Sequence, residues 1–296
     1  MGHRINIFIR HFVLSLLLLF SAGNTFSLAQ VQLELPTLSQ KASVMQRIGL
    51  LDVTINYSRP NVKERTIWGD LVPFGQVWRT GADEATTIFF SEDVNLNGNK
   101  ILAGKYALFT IPQKDEWTIV INKVAKQWGA FNYDSTKDVV RFKVKPQENN
   151  FTESLEFAFE NVTTKSADIQ IRWEKLKVSF TVNFDLDAKA YSNIKKAIES
   201  AQKDDWVVYA ASANYAVDNN IHKDEAMNWV DKSIQIKPTF YNYFVKAKLL
   251  ANDGKSKEAI NFLEKSKQAG KNDSEYIRTY SSQVNKMIHD LKAKKK

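Results

Sequence analysis

The sequence predicts a two-part molecule, all-β then all-α: an antiparallel β-sandwich, jelly-roll-like, followed by a short array of paired helices. Three observations predict it. Short runs with a two-residue hydrophobic period fill 51–184 with no amphipathic helix between them, which points to two packed sheets or a barrel. After Asp185 the glycine and proline signals fade and helical spacing takes over. Within that second part, one stretch aligns without gaps on another 33 residues later. The expected organisation is a leader at 1–29, a linker at 30–38, the sandwich at 39–185 and the helical domain at 188–296, closing in a basic tail.

The leader has three zones. Arg4 and Arg10 precede an apolar run from Phe12 to Phe20, broken only by Ser15, and Ser27 and Ala29 set small residues three and one positions before a cleavage point. That is the layout of a secretory signal peptide, and nine residues are too few to span a bilayer. An uncleaved anchor is the alternative. No later stretch reads as a membrane span, so the expected destination is the periplasm or the medium. With no cysteine in the chain, a lipid-modified N-terminus and disulfides are excluded.

Strands follow. In 51–58, Val53, Ile55 and Tyr57 alternate with Asp52, Thr54 and Asn56. Further runs lie at 86–90, 105–111, 117–122, 139–145, 154–159, 167–173 and 176–184, with Pro60, Pro73, Pro112 and Pro146 at their edges. Val139 and Phe142 break strict alternation, so a bulge is expected there. Asp93 to Gly98 copies the opening of a calcium loop, but the twelfth position, where a bidentate glutamate belongs, is Gly104. Asn97-Gly98 is better read as a tight hairpin turn.

Several chemistries are excluded by composition. Histidine occurs at positions 3, 11, 222 and 289, so the sandwich has neither a Ser-His-Asp triad nor a histidine-ligated zinc. No metal site and no cofactor are expected. The formal charge of +8 is uneven: 19 basic against 18 acidic residues over 31–184, and 20 against 15 from Asp185 onward. Lys292, Lys294, Lys295 and Lys296 supply most of that excess, and Arg278 is the lone arginine there, so no nucleic-acid partner is expected.

The densest cluster of chemistry-bearing residues is 57–87, with Arg59, Lys63, Arg65, Trp68, Trp78, Arg79, Asp83 and Glu84. Irregular segments of this composition on a rigid sheet are where ligands bind. Guanidinium groups beside indoles would clamp a carboxylate or phosphate, or hold a sugar ring. The alternative is structural, with arginine–acid pairs tying a crossover loop down and the tryptophans as core. A second aromatic loop, 127–134, stands in the same position. The candidate ligand-binding residues are Arg59, Arg65, Trp78, Arg79, Glu84, Trp128 and Tyr133. No catalytic residue is assigned.

The strings Tyr57-Ser58-Arg59-Pro60-Asn61-Val62-Lys63-Glu64-Arg65-Thr66-Ile67-Trp68-Gly69 and Leu71-Val72-Pro73-Phe74-Gly75-Gln76-Val77-Trp78-Arg79-Thr80-Gly81-Ala82-Asp83-Glu84 resemble a family known as domain of unknown function 2911. So do 103–112 and 127–133. The resemblance covers roughly 39–184 and implies an exported, β-rich bacterial domain without an established activity or catalytic residues to carry over.

In the helical part, Glu225 to Ser233 aligns on Glu258 to Ser266, and Trp206, Tyr209 and Ala213 align on Phe240, Tyr243 and Ala247 with one residue more. The additional residue is expected in the turn near 219–223. Pairs of helices at this period, with small residues at Ala213, Ala226, Ala247 and Ala259, resemble tetratricopeptide repeats. Helices at 189–201 and 274–291 would close the ends, the second capped by Asp273 or Ser274. Such arrays hold proteins on a concave face, and a plain helical bundle is the other reading.

The sequence thus points to an exported protein whose sandwich binds a small-molecule or glycan ligand and whose helices contact a protein partner. A carboxylate-dependent glycan hydrolase of the cell envelope is the alternative enzyme reading, and a structural role in envelope assembly a third. The hydrolase needs two carboxyl groups about 5 to 9 Å apart. Asp83 and Glu84, as chain neighbours on a strand, face opposite ways.

Overall fold

The computed structural model describes residues 35–293. The proposed leader, most of the linker and the final three lysines lie outside the described residues.

Among the described residues ten strands build the sandwich: β1 (Gln40–Ile48), β2 (Leu51–Arg59), β3 (Thr87–Phe90), β4 (Val94–Leu96), β5 (Asn99–Ile101), β6 (Gly104–Ile111), β7 (Trp117–Asn122), β8 (Asp138–Val144), β9 (Gln147–Glu160) and β10 (Ser166–Asn183). One sheet runs β1-β2-β3-β6-β7-β8, the other β5-β4-β10-β9. Pairing is antiparallel. On β2 the alternation holds as read: Leu51, Val53, Ile55 and Tyr57 are buried, with more exposed polar residues between them. The sandwich core gathers four tryptophans. Trp68 meets Trp117 edge-on at 4.8 Å, and Trp78 stacks on Trp173 at 5.7 Å.

Three differences from the sequence reading have local causes. The runs at 167–173 and 176–184 are one strand, β10, because Glu174 takes a left-handed backbone (φ 55°) and register shifts flank it, making bulges and not a turn. β1 escaped notice because its half-buried face is formed by Ala42, Val44 and Gln46, too weakly apolar to register as a period. β6 departs from alternation, with Ala107, Leu108, Phe109 and Thr110 all fully buried. Its outward face is covered as well as its inward one. On β8, Ile121 pairs with Val140 and Asn122 with Asp138, which leaves Val139 as the extra residue of a bulge. Asn97 and Gly98, both at positive φ, turn β4 into β5.

The helices are α1 (Leu186–Ser200), α2 (Trp206–Asp218), α3 (Lys223–Ile236), α4 (Phe240–Asn252), α5 (Ser256–Gly270) and α6 (Ser281–Ala293). Asp185 caps α1 by accepting from Ala188 N. α2 packs with α3, and α4 with α5. The two hairpins repeat a bond: buried Ser233 donates Oγ–H to the carbonyl of Trp206 at 2.8 Å, and buried Ser266 does the same to Phe240 at 2.7 Å. Ala213, Ala226, Ala247 and Ala259 are fully buried where the helices approach. The first hairpin turns through Asn219–His222 and the second through Asp253–Lys255, one residue shorter. The expected closing helix is interrupted by a π turn, Tyr276–Tyr280, before α6. Asp273 starts it, accepting from Glu275 N and Tyr276 N. The buried Tyr276 ring lies where a Cβ on Gly270 would come within 2.2 Å, so that position has room for glycine alone.

Candidate functional site

The outward face of the six-stranded sheet carries a small second core of Ala85, Ala107, Phe109 and Val120, flanked by Val77, Ala130 and Tyr133. Two loops, 78–86 and 123–134, cover it. The first is the last part of the 57–87 segment singled out in the sequence and the second contains 127–134, and the structure joins them. Ala85 N donates to Gln127 O at 2.9 Å, Gly129 N to Asp83 O at 2.9 Å, and Glu84 and Trp128 face each other in an antiparallel bridge. Thr80 anchors the first loop at φ 52°, a conformation that costs a β-branched residue about 1–3 kcal/mol. Buried hydrogen bonds hold it there: its Oγ1 meets Thr110 Oγ1 at 3.1 Å, and its carbonyl accepts from Thr86 Oγ1 at 2.7 Å.

Beside this cover lies a cleft of about 570 Å³. Lys41 and Ser43 from β1, Asn56 and Ser58 from β2, Thr87 from β3 and Lys105 from β6 line it, and Glu84 and the 125–127 segment complete the wall. Its charge is asymmetric, with Lys41, Lys105 and Lys126 against Glu84, the single acid of the lining. Lys41 Nζ stands 3.8 Å from Glu84 Oε2. Neither Lys105 nor Lys126 has a carboxylate within 4.0 Å among the described residues. Gln127 is pinned by its Nε2, which donates to Val124 O at 2.6 Å and Asn122 Oδ1 at 3.3 Å, and its buried Oε1 is left without a donor.

Of the seven residues expected to form the site, Glu84 lines this cleft and Trp128 stands at its edge, 63% exposed and across the bridge from Glu84, hence on the same face. The others are placed elsewhere. Arg59 donates Nε–H to Leu155 O at 2.9 Å, tying β2 to β9. Arg65 donates to Val62 O and Asn61 O, folding back on its own segment. Trp78 is core, its Nε1–H held by Gly81 O at 3.1 Å. Arg79 is half-buried with Nε unpartnered, and burial pushes its pKa down while Asp83 pulls it back up. Tyr133 hydrogen-bonds Asp138 at 2.5 Å and accepts from Arg141, and its hydroxyl is pushed up to about 12 by burial and by the bond to Asp138.

The lysines went unread because each is a lone cation on a solvent face of a different strand or loop, and strand pairing alone brings them together. The outward register of Asn56 and Lys105 was the available signal. Asp134, a possible second carboxylate for Glu84, instead caps a short turn through Thr136, whose two bonds hold its pKa below the usual carboxylate range. Among the described residues, no group of three or more histidines and acids is placed to hold a metal ion, and no helix is long and apolar enough to cross a membrane.

The helices line a second, open cavity of about 710 Å³, walled by Trp206, Val207, Phe240, Tyr241 and Tyr280 with Lys237 and Glu275 at its polar side. Burial pushes the Tyr241 hydroxyl up to about 12. The π turn supplies Tyr280 to this wall.

No curated protein and no solved structure matches the chain. Residues 39–182, the strands and both covering loops, match the model of the family described as Protein of unknown function (DUF2911).

Proposed function

We propose that this is an exported binding protein: the sandwich takes a small-molecule or glycan ligand in the cleft between its sheet face and the two joined loops, and the helical hairpins, tetratricopeptide-like in period, engage a protein partner. One observation carries the reading. A cleft of about 570 Å³ falls within the size of small-ligand sites, and Ser43, Asn56, Ser58 and Thr87 place polar groups from rigid strands among apolar lining from Ala42, Tyr57 and Ala85. The same observation weighs against the hydrolase, because a lining with one carboxylate lacks the acid–base pair. The helical cavity, with aromatic walls from the first helix of each hairpin, is the surface we assign to the partner.

The test is a thermal-shift and titration screen of the mature chain against glycans, phosphorylated compounds and peptidoglycan fragments, run beside Asn56→Trp. Asn56 is exposed on the cleft floor, so the indole fills the cleft without entering the core. A ligand whose shift disappears in that variant supports the reading. A screen without any shift, or shifts indifferent to Asn56→Trp, rejects it. Export predicts a mature N-terminus at Gln30, read by mass spectrometry of the protein recovered from the envelope or medium.

A further inference from the structure

Resting on that reading, we infer that the cleft ligand is an anionic saccharide, a sugar chain bearing carboxylate or phosphate groups. Three features of the wall select this chemistry together. The first is charge. Lys41, Lys105 and Lys126 line the cleft from β1, β6 and the 123–134 loop, against Glu84 as the one acid of the lining among the described residues, so the wall carries an excess of positive charge. An ammonium is a strongly hydrated point charge that pairs with a carboxylate or phosphate oxygen without demanding a fixed geometry. That excess attracts an anionic guest and repels a cationic one.

The second feature is the floor. Ser43, Asn56, Ser58 and Thr87 present short hydroxyl and amide groups from adjacent strands, interleaved with apolar surface from Ala42, Tyr57 and Ala85, a mixed lining matched to a guest that carries both hydroxyls and C–H faces. The third is the rim. Trp128 is 63% exposed, an unusual cost for an indole unless something covers it, and the bridge to Glu84 fixes it on the cleft side. A flat indole beside hydroxyl-binding groups is the arrangement that receives the apolar face of a sugar ring. Phe131, three residues on, is 82% exposed as well, its ring resting on Gly129 where a Cβ would come within 2.9 Å. A phosphate ion alone would account for the lysines but leave the indole and the length of the floor unused.

The experiment is isothermal titration of the mature chain with matched pairs that differ in charge: tetragalacturonate against its methyl ester, and phosphorylated maltotetraose against maltotetraose. At low salt, at least one acidic member binds ten or more times tighter than its neutral twin. That advantage shrinks as salt rises, because exposed charge pairs are screened. Lys105→Ala with Lys126→Ala weakens the acidic ligand at least tenfold and leaves the neutral one within twofold. Trp128→Ala weakens both. The substituted side chains are exposed, and circular dichroism of each variant confirms folding. Equal affinity within both pairs, abolished by Asn56→Trp, overturns the anionic class while the ligand-binding reading stands. Acidic binding indifferent to the lysine variants overturns the site. Binding of anionic vesicles in place of all four saccharides, lost in the lysine variants, overturns the saccharide in favour of a membrane surface. No binding of any probe removes the inference, while the reading beneath it is decided by the wider screen beside Asn56→Trp.

Discussion

Trp78 and Trp117 sit in one tryptophan cluster with similar burial, yet they differ in a single hydrogen bond. The Trp78 indole N–H is satisfied by Gly81 O, whereas that of Trp117 is buried without an acceptor. Phenylalanine at either position removes comparable volume. At Trp78 it also strands a buried carbonyl, and at Trp117 it removes an orphan donor. Trp78→Phe should therefore be the more destabilising, by about 1–3 kcal/mol, seen as a lower urea midpoint at unchanged slope. Equal midpoints would contradict this. A second prediction concerns Glu225, which accepts from the Tyr191 hydroxyl at 2.8 Å and from Lys195 at 3.3 Å, with His222 stacked on Tyr191 at 3.7 Å. The Tyr191 bond, then Lys195, holds the Glu225 pKa below its usual value. A carboxylate depressed in the folded state adds stability that is present above its unfolded pKa and lost as pH falls through the folded one. The stability gap between wild type and Glu225→Gln is therefore widest above about pH 4.5 and closes on acidification. A gap that stays constant from pH 7 to pH 3 would refute the linkage.

Among elements, the two helical hairpins offer an internal comparison. Ser266 makes its one bond to Phe240 O, whereas Ser233, besides bonding Trp206 O, accepts from the fully buried Asn242 amide at 3.1 Å, linking α2, α3 and α4. Ser266→Ala should cost about 1 kcal/mol and Ser233→Ala about 2, since the second also loosens a buried amide. Denaturation followed by helical ellipticity checks the order, and the reverse order would show that the repeated serine is incidental. Equivalences of this kind were legible in the sequence because a repeat aligns the chain on itself. β2 was legible because one face of it is dry and the period records it, whereas β7, buried on both faces from Ile119 to Asn122, shows as a short apolar run. The site was less so. Arg59, Arg65 and Trp78 carry the residue types of a binding site, but composition does not say whether an indole faces into the sandwich or out of it, and Trp78 faces in. Lys41, Lys105 and Lys126 lie far apart in sequence, so their grouping exists only once β1, β2, β3 and β6 pair.

For the whole molecule, the decisive feature is how the helices are attached to the sandwich. Phe184 is buried in the sandwich core and Leu186 packs against it, its methyl groups 3.1 and 3.3 Å from where a Gly49 Cβ would stand. Lys165 pairs with Asp187 at 2.6 Å and Lys189 with Glu92 at 2.7 Å. No helix lies along either sheet among the described residues. Ion pairs with this exposure contribute about 0–1 kcal/mol each, and the partly buried Leu186 contributes less than the ~1.5–3 kcal/mol of a fully buried leucine. That sum is small beside the stability of two parts with separate cores, so it aligns them without making their unfolding one event. Calorimetry of the mature chain should resolve two transitions, and ellipticity at 222 nm, dominated by α1 to α6, should follow one of them, with the near-ultraviolet signal of the tryptophan cluster following the other. Raising salt weakens the two ion pairs and draws the transitions further apart, and Leu186→Ala does so more strongly. A single transition reported identically by both signals, and still single in Leu186→Ala, would mean that the sandwich and the helices share more of their stability than this junction supplies.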